Sequence, residues 1–196
     1  MRKLLLITGD LATGKSTFAG MLSKRYDTNV FYKDSIKEVL GDTIGFSNRE
    51  ENLKLSKATG ELMIHIFSEF AKLGKNLILE SNFHEEDLVR LQGMASESGY
   101  DVLVLALRGE VETLHKRYLN RIYHENRHPV HLSTTFDVFE DFKAYIERGR
   151  KEKIIGEVLY IDANDFSYQT DKEVLDGIDK FMQGQDFTPD REKELK

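Results

Sequence analysis

The chain contains no cysteine, and that absence removes several kinds of chemistry at once. There is no disulfide to staple a fold, no thiolate to hold zinc and no cysteine nucleophile. A reducing compartment is the natural setting, so the expected location is the cytoplasm. Long hydrophobic runs are lacking too: nothing approaches the ~18 apolar residues of a membrane-spanning helix. The start, Met1-Arg2-Lys3 followed by four apolar residues, is too short for the hydrophobic region of a signal peptide. Proline occurs only twice, and no stretch rich in Pro, Gly or Ser separates one part of the chain from another. A uniformly basic surface is also missing. The formal net charge of -6 excludes a protein that coats nucleic acid. That charge is unevenly placed: residues 1–156 carry 23 basic and 23 acidic side chains, residues 157–196 carry 5 and 11. The acidic excess belongs to the C-terminal end.

What is present is an ordinary soluble composition, 40% hydrophobic and 32% charged over 196 residues, enough for one domain with a substantial core. Five short apolar runs read as buried strands, at residues 3–8, 29–32, 76–79, 101–107 and 158–161. Periodic segments lie between them. Ser47-Asn48-Arg49-Glu50 has capping-box spacing and opens a helix whose apolar row is Leu62, Ile66, Phe70 and Leu73, ended by Gly74. Asn82 with Glu85 makes a similar start for a helix through Leu88, Leu91 and Ala95, stopped near Gly99. Phe136, Phe139, Phe142 and Ile146 form another apolar face. Residues 183–196 are mostly polar and are expected to fray. Strand–helix alternation implies an α/β fold in which a parallel sheet is covered on both faces, and ligands bind at the carboxyl ends of its strands.

The segment after the first strand, Gly9-Asp10-Leu11-Ala12-Thr13-Gly14-Lys15-Ser16-Thr17, matches G-x-x-x-x-G-K-[ST]. A buried strand before it and an apolar helix after it supply the context the motif needs. Loop amides and a helix N-terminus point at an anion, and the glycines let the backbone wrap it. Lys15 would neutralise phosphates and the Ser16 hydroxyl would join a Mg²⁺ shell. Ala12 stands where many small kinases carry glycine; alanine there is expected to hold a negative φ.

The other strand ends choose the reaction. Asp34 follows the second strand, where a carboxylate can accept or orient the proton of an acceptor hydroxyl; it can equally N-cap the next helix. Glu80 ends the third strand, where an acid reaches Mg²⁺ or its water, or is simply a terminal carboxylate. Asn82, Phe83 and His84 lie at the same edge and are candidates to line an acceptor pocket, against capping and packing roles. Arg117 and Arg121 are four apart on one helical face and, with Arg127, form a locally basic stretch. Arginines over a transferring phosphoryl group stabilise its charge; otherwise they are a solvated basic face. Lys33, Lys37 and Arg49 near the acceptor side would suit an anionic acceptor.

Taken together, the Gly9-to-Thr17 loop, Asp34, the strand ending in Glu80 and the Arg117/Arg121 helix resemble the small P-loop kinases. The resemblance is to the branch related to polynucleotide 5′-hydroxyl kinase, zeta toxin and chloramphenicol phosphotransferase, and it covers about residues 1–165. It implies a three-layer P-loop NTPase fold with a five-stranded parallel sheet of order 2-3-1-4-5, helices on both faces and an arginine lid near residues 117–134. It further implies ATP/Mg²⁺-dependent transfer to a hydroxyl, Asp34 as the base, and Arg117 near the adenine or phosphates. Asp162-Ala163-Asn164 would border the adenine. The expected organisation is a kinase domain over residues 1–182 and a polar tail over 183–196. The acceptor is left open among a small molecule, a nucleoside or nucleotide, and an oligonucleotide end.

Two rivals carry less. His124-Glu125-Asn126-Arg127-His128 spells the H-E-x-x-H of zinc metalloproteases, with His131 nearby, yet Pro129 disfavours helix at His128 and the surroundings are arginine-rich. A GTPase-like switch lacks an Asn-Lys-x-Asp segment after a strand. An ATP-binding regulatory protein without transferase activity remains the alternative, although Lys15, Ser16, Asp34 and the lid arginines are all in place.

Overall fold

A computed structural model describes residues 2–132 and 135–186 of the chain. Five parallel strands, β1 (Arg2–Gly9), β2 (Asn29–Tyr32), β3 (Leu77–Glu80), β4 (Tyr100–Arg108) and β5 (Glu157–Asp162), form one sheet of order 2-3-1-4-5. Seven α-helices alternate with them: α1 (Lys15–Arg25), α2 (Lys33–Ile44), α3 (Arg49–Leu73), α4 (Glu85–Glu97), α5 (Val111–His124), α6 (Phe139–Arg150) and α7 (Lys172–Gln183). The architecture and strand order match the expectation. β1 lies at the centre, with Leu4 opposite Leu77 on one side and Val102 on the other. The chain leaves β1 toward β2 and β3 on one flank and continues to β4 and β5 on the other. This reversal opens a crevice above the end of β1, where the phosphate loop begins.

The continuous run Leu4-Leu5-Leu6-Ile7 is explained by two covered faces. Leu5 and Ile7 pack with Phe18 and Leu22 of α1 and Ile178 and Phe181 of α7. Leu4 and Leu6 point the other way, onto Met63 and Phe67 of α3 and Leu88 and Leu91 of α4. With water on neither side, no alternation of polar residues is needed. A smaller cluster, Leu114, Phe142 and Ile146, joins α5 to α6.

Helix boundaries correct several sequence expectations. α3 is capped by Asn48, whose side chain accepts from the Glu51 amide at 2.9 Å, while Glu51 accepts from the Ser47 amide at 2.6 Å. The cap therefore starts one residue later than the spacing suggested, and the returning bond from Glu51 reaches Ser47, the residue before the cap. α4 is capped by His84 with Asp87 rather than by Asn82 with Glu85. The buried face of α3 is also different: Leu55, Met63, Ile64 and Phe67 are buried, whereas Leu62 and Leu73 are 37% and 67% exposed. The row lies along the edge of the buried stripe: Ile66 and Phe70 pack against the core cluster, while Leu62 and Leu73 fall outside it. In α6, Phe142 and Ile146 are buried, while Phe136 precedes the helix. α7 ends at Gln183 on a left-handed Gly184, and the expected fraying tail lies, from residue 187 onward, outside the described residues.

Phe67 is fully buried and meets Tyr100 edge-on, ring centres 5.4 Å apart. Phe67→Ala should therefore lower stability by about 3–5 kcal/mol, read as a fall in the urea midpoint with an unchanged slope.

Candidate active site

The phosphate loop is built by close backbone approach. Gly9 has φ +126°, and a Cβ there would stand 2.0 Å from the Leu107 carbonyl oxygen of β4. Gly14 has φ +86°, and a Cβ there would meet the Tyr168 hydroxyl at 2.7 Å and the Phe166 ring at 2.9 Å. Only glycine serves at either position. Ala12 departs from expectation: its φ is +61°, in the left-handed region, not negative. The turn imposes the conformation, and the methyl group costs energy there. Thr13 ties the loop inward, its hydroxyl donating to the Asp10 carbonyl at 2.9 Å and its carbonyl accepting from Tyr168 at 2.8 Å. Leu11 packs beside the α5–α6 cluster. Thr17 lies one position after Ser16 in the first turn of α1 and is exposed.

Lys15 is buried and its ammonium group spans the loop, donating to the carbonyls of Gly9 at 3.2 Å and Asp10 at 2.6 Å. Burial lowers its pKa, opposed by the carboxylates of Glu80, Asp10 and Asp34. Across the crevice the Ser16 hydroxyl donates to Glu80 at 3.1 Å. Glu80 is buried at the end of β3, and burial raises its pKa; Asp34 adds to the rise, while Lys15, Ser16 and Arg121 work against it. A hydroxyl and a carboxylate side by side are hard oxygen donors suited to Mg²⁺, which commonly takes few protein ligands and completes its shell with phosphate and water. No larger group of His, Cys, Asp or Glu arranged for a metal occurs among the described residues.

Asp34 lies in the first turn of α2, which it does not cap: the N-cap position is Tyr32, without a side-chain cap bond. It is exposed, and its charge acts on Lys15, Glu80 and Arg127. Lys33 opens the same helix. Lys37 donates to Asn52 at 2.7 Å and, at 3.4 Å, to the carbonyl of Val130, fastening the segment after α5 to α2 and α3. Asn82 lines the same cavity as Tyr145 of α6, and the Phe83 amide donates to the Thr8 hydroxyl at 3.2 Å.

The arginines divide the work. Arg117 turns toward the loop after β5, donating to the carbonyls of Ala163 and Asn164 and stacking 4.4 Å over Phe166. Arg121 turns the other way, its charge felt by Lys15 and Glu80, and its guanidinium is 3.5 Å from Glu125. Arg127 joins it: burial and the nearby Arg121 lower its pKa, with Asp34, Glu125 and Glu38 opposing. The two histidines of H-E-x-x-H are not on one helix. α5 ends at His124, Glu125 and His128 are extended, and His128 reaches Asp42 at 2.9 Å while His131 reaches Glu38 at 2.8 Å.

Two site residues were missed by sequence reasoning. Arg150, at the end of α6, forms an ion pair with Asp10 at 2.5 Å and also donates to the Gly109 carbonyl, binding the phosphate loop to the entry of α5. Tyr145 reaches Asn82 from the same helix. Both follow an apolar face, and nothing in their spacing from the phosphate loop 140 residues earlier reveals the contact.

Sheet order, phosphate loop and the convergence of Lys15, Ser16 and Glu80 define a nucleotide-binding P-loop protein of the kinase type. The chain belongs to the zeta toxin family, whose profile matches residues 2–173. A provisionally assigned kinase of Chloroflexus aurantiacus J-10-fl is 26% identical over 94% of this chain and 98% of its own, with a TM-score of 0.78. The Deinococcus radiodurans tunicamycin resistance protein shares the fold at 17% identity and TM-score 0.59, covering 96% of this chain and 99% of its own. So does the Mycobacterium tuberculosis APS kinase in complex with AMPPNP and APS, at 14% identity and TM-score 0.58, covering 89% and 96%. None of the curated proteins matches the chain. No helix among the described residues is long and apolar enough to cross a membrane.

Ala12→Gly relieves the left-handed strain and should stabilise the protein by about 1 kcal/mol in urea denaturation. Glu80 supplies a pH test. Its folded pKa is raised, so as pH increases the unfolded chain ionises first; stability is full below the ordinary glutamate value and falls as pH rises through the folded one. Over pH 4 to 7, wild-type stability should decline relative to Glu80→Gln; parallel curves would contradict the burial argument.

Proposed function

We propose that this chain is an ATP/Mg²⁺-dependent phosphotransferase that moves the γ-phosphate to a hydroxyl group. The observation carrying this reading is the convergence of opposite charges on one crevice: Lys15, Arg121 and Arg127 against Glu80 and Asp34, all beside the anion cradle of the phosphate loop. Loop amides and Lys15 hold the phosphates, while Ser16 and Glu80 hold Mg²⁺. When bound, the metal ion neutralises charge on the phosphate oxygens. Arg117 and the loop at Ala163 and Asn164 border the base. The fold of kinase relatives supports the assignment, as does membership of the family.

Asp34 is the base in this scheme. The acceptor oxygen forms its bond to Pγ as the Pγ–O bond to the β-phosphate breaks; ADP leaves with that electron pair, and the acceptor proton passes to the Asp34 carboxylate. Arg121 and Arg127 balance the charge spread over the equatorial oxygens and help exclude water that would divert the phosphoryl group. Residues 1–182 act as the catalytic unit, and the cysteine-free composition suits the cytoplasm.

Asp34→Asn should leave nucleotide binding intact and reduce transfer by about 10²-fold or more, whereas Lys15→Ala should lose nucleotide binding or turnover. The deciding assay is an acceptor panel with labelled γ-phosphate, scored against background ATP hydrolysis. Wild-type transfer rates from Asp34→Asn sink the base assignment. ATP binding without transfer to any acceptor favours a regulatory ATP-binding protein.

A further inference from the structure

A cavity of about 140 Å³ lies beside the phosphate loop, on the α6 side of the crevice. Its floor is the end of β1 and the first loop residues, Thr8 to Leu11; Asn82 and Phe83 form one wall and Tyr145 another. Tyr145 links this space to the reacting region, since it lines the cavity with Asn82 and lies within the field of Asp34. The volume is that of a small fragment, so it suits one end of an acceptor rather than a whole nucleotide.

Charge decides which end. The two acids of the lining already have partners: Asp10 is ion-paired with Arg150 at 2.5 Å, and the Glu152 carboxylate is hydrogen-bonded to His84 at 3.0 Å and to the Glu85 amide at 3.2 Å. Three of the lining cations are not. Arg108 stacks 4.8 Å over Tyr160 and Arg148 lies 5.6 Å from the Tyr145 ring, contacts that leave their guanidinium N–H groups available. Lys153 lies on the same rim, and among the described residues none of these three side chains has a carboxylate partner. The cavity therefore presents an excess of positive charge, four cationic side chains against Asp10 and Glu152, next to aromatic faces. An arginine fork matches the paired oxygens of a phosphate or carboxylate, and a partly enclosed site raises the worth of that pairing.

We propose that this cavity binds an anionic group of the acceptor, a phosphate or carboxylate, held by Arg148 and Lys153 with Arg108 behind them, so that the chain phosphorylates an anionic hydroxy compound. The proposal rests on the phosphotransferase reading above and narrows its acceptor class. Asn82 and Tyr145 orient the body of the acceptor between that anion site and Asp34.

The test separates the two readings. Protein labelled with ¹⁵N is saturated with Mg-AMPPNP, which occupies the phosphate loop, and then titrated with glycerol 3-phosphate, glycerate or neutral glycerol. At least one of the two anions should shift the amides of residues 82–84 and 148–153 saturably, and glycerol should not; which anion responds distinguishes phosphate from carboxylate. The double variant Arg148→Gln with Lys153→Gln should weaken anion binding tenfold or more. Arg90→Gln, which removes a cation paired with Glu61 outside the cavity, should not. The proposal is overturned if Mg-AMPPNP binds but neither anion shifts these amides, or if the double variant binds them as tightly as wild type. If wild-type protein fails to bind Mg-AMPPNP, the phosphotransferase reading falls, and this proposal with it.

Discussion

The organising constraint of this molecule is the burial of one ammonium group. Lys15 sits beneath a loop at the centre of the sheet, and a charge taken out of water must be compensated where it lies. The carbonyls of Gly9 and Asp10 supply its hydrogen bonds, and Glu80, Asp10 and Asp34 supply the opposing charge. Each comes from a different place: the end of β1, the end of β3 and the start of α2. A parallel sheet is what brings them together, because its strands end on one edge and every following loop opens on the same crevice. The same compensation makes the crevice receptive to phosphate, since a cation held by weak carbonyl acceptors is well placed to exchange them for an anion.

A second layer keeps that crevice in shape. Arg150 joins Asp10 of the loop to Gly109 at the entry of α5, so the phosphate loop, the arginine-bearing helix and α6 share one ion pair. On the far side, Tyr168 and Phe166 close over Gly14 and receive Arg117. At the other end of the arginine-bearing segment, His128 and His131 reach the carboxylates of α2, and Asn52 and Lys37 hold the Val130 carbonyl. The H-E-x-x-H segment is absorbed into this fastening. Its spacing fits a helix, but Pro129 turns the chain after α5 has ended, and His128 and His131 go to neighbours on α2.

Part of this arrangement is legible in the sequence. The five buried runs emerge from local composition because a strand covered on both faces is apolar throughout, and the phosphate loop is legible because its contacts are local. The caps of α3 and α4 were placed one and two residues early, since several Ser, Asn and Asp residues near each start can serve equally in isolation. The apolar row of α3 is only partly buried, Ile66 and Phe70 on the core and Leu62 and Leu73 outside it: over 25 residues several apolar rows exist, and the neighbouring sheet selects among them. Ala12 shows the reverse case, in which the surrounding loop imposes a φ that the residue's own preference opposes.

A phosphate loop between a buried strand and a helix, a parallel sheet, acids at or just after two strand ends and a pair of arginines on one helical face are all written in local sequence. Those features are carried by neighbours in the chain, so periodicity and spacing record them. Tertiary contacts bring Arg117 and Arg121 to different parts of the crevice, tie Lys37 to Asn52 and the Val130 carbonyl, and carry Arg150 and Tyr145 to the side of the phosphate loop. Each of those outcomes depends on contacts between residues far apart in the chain. They are set by how helices pack on the sheet, which no local pattern encodes.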